Sequence, residues 1–169
     1  MTRRSFLLAA GALLAFGLLR SYRASPVRIG EPAPAFLLAG LNGQTVALSG
    51  YRGKAVLLNF WATWCPDCRE ELPRLDDLQK RYHDAGLEVV AASVDDAGRR
   101  AVLPYVARTA PSFTVLLADP RTAQAYGVRG IPATFLIGPD GRVVERYVGS
   151  INPKQLENDI LKVLPRRRS

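Results

Sequence analysis

The sequence predicts an α/β domain with a mixed central sheet, on three observations. Continuous apolar runs at Ala55–Phe60 (AVLLNF) and Leu87–Val94 (LEVVAASV) read as strands buried on both faces. Between them, Pro66 to Tyr82 places Leu72, Leu75, Leu78 and Tyr82 at helical spacing with charged residues in between. Near the end of the chain, Ala133–Ile137 and Arg142–Val148 flank the turn signal Pro139-Asp140-Gly141, and an amphipathic helix follows. Strands alternating with helices, closed by a hairpin and a helix, describe this class.

In chain order, residues 25–34 carry Pro26, Pro32 and Pro34 and read as an extended connector. A globular domain is expected over 35–165. It opens with a β-hairpin, Phe36-Leu-Leu and Thr45–Leu48, around Asn42-Gly43, a pair suited to positive φ angles. The Ala55–Phe60 strand and the Pro66–Tyr82 helix follow, and Gly86 ends the helix. After the Leu87–Val94 strand comes a helix–strand segment: a helix over Gly98–Arg108, which Pro104 should start or bend, and a strand at Thr114–Ala118. Thr122–Tyr126 makes one or two helical turns before Gly127. Asn152-Pro153 opens the last helix, with Leu156, Ile160 and Leu164 on one side and Pro165 after it.

Composition narrows the function. The 169 residues, 48% hydrophobic and 22% charged, suit one domain with a full core. The only two cysteines, Cys65 and Cys68, cannot form a multi-bridge scaffold, and His83, the only histidine, leaves a structural zinc site short of ligands. No metal is therefore expected. The net charge of +8 belongs to the ends: Arg3, Arg4, Arg20 and Arg23 precede residue 25, and Arg166–Arg168 form a basic tail over 166–169. Without those seven, 16 basic side chains face 15 acidic ones, which argues against a phosphate-binding groove or a nucleic-acid partner.

Residues 1–24 read as a signal peptide or membrane anchor. Two arginines precede an uncharged run, Phe6 to Leu19, and no acidic residue occurs before Glu31. As a helix the run would reach roughly 21 Å, short of the hydrocarbon core of about 30 Å. TRRSFL resembles a twin-arginine signal; a general secretory signal is the alternative. Tyr22 spoils an A-x-A cleavage site at Ala24, so a tether through residues 6–19 is the second reading. Either way the domain is expected outside the cytoplasm.

The informative string is Trp61-Ala-Thr-Trp64-Cys65-Pro66-Asp67-Cys68-Arg69-Glu70-Glu71, where a buried strand turns into a helix. Cys65 falls at the helix N-terminus with Pro66 at the first helical position, where its missing N–H costs nothing. Free backbone N–H groups and the positive end of the helix dipole stabilise a thiolate there. Cys68 returns to the same side one turn deeper. This predicts an exposed nucleophilic Cys65 and a shielded, resolving Cys68. A purely structural bridge is the weaker explanation, since so short a loop constrains little of the unfolded chain.

WCPDC after VLLNFWAT resembles the thioredoxin fold, and Tyr126-Gly-Val-Arg-Gly-Ile-Pro132-Ala-Thr-Phe resembles the thioredoxin segment whose proline follows a cis peptide beside the cysteines. The closer similarity is to TlpA/ResA-like thiol–disulfide oxidoreductases, through the leader, GEPAPAF, the N-terminal hairpin and the inserted helix–strand segment over about Asp95–Ala118. The resemblance spans roughly Ile29 to Leu164. It implies a cis Ile131–Pro132 bond and a substrate-binding surface of Trp64, Pro66, Ile131 and Pro132, with Ile131 offering its backbone to a thiol substrate. It further implies protein thiol or disulfide substrates, apocytochrome c among them, an upstream membrane thiol reductase, and no cofactor beyond the Cys65–Cys68 disulfide. Ala133 stands where dedicated cytochrome c maturation members often carry Glu.

Asn59 occupies the place where small thioredoxins have a buried aspartate. Glu71, three residues after Cys68, falls on the acidic position of the TlpA/ResA-like branch, and as a buried carboxylate it should have a raised pKa and relay a proton to Cys68. Asp67 between the cysteines opposes thiolate formation and favours a reductant. Two other functions fit less well. A peroxiredoxin-like peroxidase needs a threonine and an arginine around a lone cysteine, and Thr63 is the nearest threonine; a Cu(I) carrier through CxxC lacks a third soft ligand.

Overall fold

The computed structural model describes residues 26–165; the expected leader and the basic tail lie outside the described residues. The strands are β1 (Leu37–Gly40), β2 (Thr45–Ala47), β3 (Ala55–Trp61), β4 (Leu87–Ser93), β5 (Thr114–Leu117), β6 (Ala133–Ile137) and β7 (Val143–Val148). The helices are α1 (Pro66–Tyr82), α2 (Arg99–Thr109), α3 (Pro120–Ala125) and α4 (Pro153–Val163). Among the described residues, no helix is long and apolar enough to cross a membrane.

One sheet runs in the order β2-β1-β5-β4-β3-β6-β7. The central β3, β4 and β5 are parallel, joined by the α1 and α2 crossovers; β6 and β7 add antiparallel on one side and the β1–β2 hairpin on the other. The mixed sheet expected from the sequence is thus present. The inserted α2–β5 segment places β5 between β4 and the hairpin, so the hairpin reaches the sheet only through the insertion.

Strand alternation divides the core in two. Ala55, Leu57 and Trp61 face α1, α2 and α4 and pack with Leu72, Leu75, Val102, Leu156 and Ile160. Val56, Leu58 and Phe60 face the opposite layer, with Tyr126, Phe135 and the incoming Val27 and Phe36. Every residue of β3 and of β4 is buried, which explains why both strands read as apolar runs without alternation. Asn59 sits in β3 on the α1 face, a polar side chain only 1% exposed.

Several boundaries differ from expectation by one or two residues. Helix α3 starts at Pro120 rather than Thr122, because the Asp119 side chain caps it by accepting from the Thr122 N–H at 2.7 Å. Of the two expected roles for Pro104, starting or bending the helix, the first does not hold: it lies inside α2, as Pro73 lies inside α1. Each proline removes the partner of the carbonyl four residues earlier, at Arg100 and Arg69; all four residues are exposed, so water can take the place of the lost N–H. The first strand begins at Leu37 and runs to Gly40, one residue later than Phe36. The connector docks onto the domain: the Val27 N–H donates to the Ala125 carbonyl, and Val27 is buried. Gly86 adopts φ +95°, and a Cβ there would lie 2.8 Å from Pro165, so this turn requires glycine.

Candidate active site

The cysteines lie where β3 hands over to α1. Cys65 is the N-cap, its Sγ accepting from the Cys68 N–H at 3.2 Å, and Pro66 takes the first helical position. Cys65 and Cys68 are joined by a disulfide with Cα atoms 5.3 Å apart. The cap places Cys65 sulfur among the free N–H groups of the first turn, the environment that favours a thiolate after reduction.

The expected contrast in exposure is smaller than the sequence suggests. Cys65 is 5% exposed and Cys68 1%, so both are buried by residue, with Cys65 the nearer to solvent. The cause is the fold around them: the loop before Ala133 comes in beside the disulfide, with the Ile131 carbonyl oxygen 4.0 Å from Cys65 Sγ. The Ile131–Pro132 peptide is cis. The Gly149 N–H fixes this loop by donating to the Pro132 carbonyl at 2.9 Å. Trp64 projects beside the pair, 67% exposed. Trp64, Pro66, Ile131 and Pro132 are therefore brought to the cysteines from two separate stretches of chain.

Glu71 lies one helical turn beyond Cys68 on α1 and is 8% exposed. Asn59 Nδ2 donates to Glu71 Oε2 at 3.3 Å and to Thr134 Oγ1 at 2.9 Å, tying β3, α1 and β6 together under the disulfide. Glu71 Oε1 and Asn59 Oδ1 have no hydrogen-bond partner among the described residues. An ionised carboxylate there leaves buried acceptors unpaired, whereas a protonated one supplies a donor. Burial raises the Glu71 pKa to about 7, against the opposing Asn59 hydrogen bond and the Arg74 charge. Glu71 also lines a cleft of about 150 Å³ with Arg74, Leu75, Ile151 and Leu156. Glu70, by contrast, is exposed.

A second polar cluster holds the loop ahead of Cys65. Asp95 accepts from the Thr63 N–H at 2.9 Å, the Thr63 hydroxyl at 2.6 Å and the Ser93 hydroxyl at 2.7 Å. Thr63 is thus committed to Asp95, which takes from the peroxidase reading the hydroxyl it needs. Sequence reasoning missed Thr134, Ser93, Asp95 and the donor role of Asn59. Asn59 carried a signal, a polar residue inside an apolar strand; Asp95 follows the carboxyl end of a parallel strand, where α/β folds gather their sites.

A dithiol–disulfide pair capping a helix, beside a cis-proline loop on this sheet, defines a thioredoxin-fold thiol–disulfide oxidoreductase. The chain belongs to the Redoxin family, whose model matches residues 28–164. It is 36% identical over 140 residues to the thiol-disulfide oxidoreductase ResA of Bacillus anthracis, covering 82% of this chain and 80% of that one. To ResA of Bacillus subtilis it is 35% identical over 137 residues, 80% of this chain and 76% of that one. Among solved structures, one from Chlorobium tepidum described as a thiol:disulfide interchange protein DsbE superposes with a TM-score of 0.75 at 37% identity, covering 81% of this chain and 98% of the other.

Proposed function

We propose that the protein is an extracytoplasmic reductant of protein disulfides, with Cys65 as the attacking thiol, Cys68 as the resolving thiol and Glu71 as the proton relay. The observation that carries this reading is the Cys65 cap: its sulfur accepts from the Cys68 N–H and faces the Ile131 carbonyl, the side from which an extended substrate can approach. In the reduced protein the Cys65 thiolate attacks a substrate disulfide, forming a mixed disulfide and releasing one substrate sulfur, which takes up a proton. Cys68 then loses its proton and attacks Cys65 Sγ. The Cys65–Cys68 disulfide forms and the second substrate thiol leaves, so two electrons pass from enzyme to substrate. Glu71, with a pKa near neutrality, accepts the Cys68 proton in that second step.

The arginine-led apolar run in residues 1–24 and the similarity to ResA and DsbE-type proteins support action outside the cytoplasm. Apocytochrome c is the substrate class proposed first, with thiols of oxidase assembly as the alternative, and a membrane thiol reductase recharges the pair. Trapping tests the reading. Cys68→Ala protein should accumulate a mixed disulfide through Cys65 with its substrate, identifiable by mass spectrometry. Absence of adducts with Cys68→Ala, or adducts formed through Cys68 in a Cys65→Ala variant, would overturn it.

A further inference from the structure

We infer that Asp95 is a positioning residue for the reaction: it clamps the loop that delivers Cys65 to the helix N-terminus. This inference rests on Cys65 being the attacking thiol. The strand β3 ends at Trp61 and α1 begins at Pro66, so the four intervening residues alone set where the Cys65 sulfur sits. At the strand end the Trp61 carbonyl accepts from the Val94 N–H at 2.8 Å, and within the four residues the Ala62 carbonyl accepts from the Cys65 N–H at 3.2 Å. Thr63 is held from its backbone and its side chain at once, by the two oxygens of a single carboxylate.

Asp95 is itself fixed. It is 9% exposed, its second oxygen also accepts from the Ser93 hydroxyl, and its own N–H donates to that hydroxyl at 3.1 Å. The clamp therefore joins the carboxyl end of β4 to a point two residues before Cys65. Hydrogen bonds to a charged acceptor are stronger than neutral ones, and a rigid loop keeps the sulfur on the Cys68 N–H. Without the clamp, Cys65 can leave the cap and lose the N–H groups that stabilise its thiolate. Asp95 makes no hydrogen bond to either sulfur; it acts through Thr63.

Charge and clamp separate in a pair of variants. Asp95→Ala and Asp95→Asn both remove the negative charge, but the asparagine oxygen still accepts from the Thr63 N–H and its amide can donate to a hydroxyl. The measurement is the pH dependence of iodoacetamide labelling in reduced full-length protein, with the label located by peptide mapping, together with the rate of disulfide exchange. In Asp95→Asn the labelling midpoint should lie at or below the parent's. In Asp95→Ala it should lie about one pH unit above that of Asp95→Asn, since a tenfold weaker hold on the thiolate is one unit, with exchange about tenfold slower. Thr63→Val keeps the charge and the backbone bond while removing one arm, so its midpoint should rise above the parent's even if Asp95→Ala fails to fold. Equal midpoints and rates for the Ala and Asn variants, or a Thr63→Val protein identical to the parent, would overturn the clamp. Label on Cys68 in the parent would instead show that the assignment of Cys65 is wrong.

Discussion

Asn59 on β3 donates its side-chain N–H to the carboxylate of Glu71 on α1, 3.3 Å away and one helical turn beyond Cys68. The strand supplies a neutral donor, and the ionisable group sits on the helix that holds the cysteines. Burial raises the Glu71 pKa to about 7, while the donor, which favours the charged form, acts in the opposite direction.

Replacing Glu71 by Gln keeps the shape and the bond from Asn59 but removes the proton. The apparent thiol pKa should fall, because an ionisable neighbour no longer adds negative charge, and disulfide exchange should slow by about 100-fold, the lower end for a lost general base. Exposed Glu70→Gln is the control and should stay within twofold of the parent. Stopped-flow exchange with a model disulfide across pH checks both. Since Glu71 and the thiols titrate together, the midpoints belong to the cluster.

The same carboxyl makes stability depend on pH. Its pKa is raised from 4.5 unfolded to about 7 folded, so the native state holds the proton more tightly than the unfolded chain. Its contribution is complete below about pH 4.5 and is lost as pH rises through about 7, for an order-of-magnitude total of about 3 kcal/mol. Glu71→Gln should remove this loss. In oxidised protein, the urea midpoint of the variant should gain on the parent's from pH 5 to pH 8. A constant difference would show that Glu71 titrates at its ordinary pKa.

Asn59→Ala should destabilise the protein by about 1 to 3 kcal/mol, since Glu71 Oε2 loses its donor and Thr134 loses its partner in a buried space. Removing a bond that favours the charged form should also push the Glu71 pKa further up. Denaturation at two pH values, with carboxyl titration followed by isotope-edited NMR, checks both effects.

Trp64→Ala should leave stability within about 0.5 kcal/mol, as expected of an exposed side chain. Its effect should fall on protein substrates: a KM raised several-fold for a folded disulfide substrate, with little change toward a small disulfide that never reaches the indole. Parallel steady-state assays with the two substrates separate these outcomes.

The sequence alone determined what depends on near neighbours. The 66–82 helix, its cysteine cap and its proline start follow from residues within one or two turns, because capping and helix periodicity are local. Burial of β3 and β4 was legible because strands covered on both faces must be apolar throughout. The cis-proline loop was reached through resemblance; nothing in local chemistry brings Ile131 to a cysteine 66 positions earlier. Tertiary structure alone decided three things: that the hairpin pairs with β5, that Asn59 bonds to both Glu71 and Thr134, and that Asp95, rather than its neighbour Asp96, grips Thr63. Such contacts join groups far apart in the chain at distances of a few ångströms, and they leave no period in the sequence. Which polar group meets which is fixed only when the sheet register and the crossover helices bring them together, since a shift of one residue in β3 or β6 would turn Asn59 or Thr134 to the opposite face.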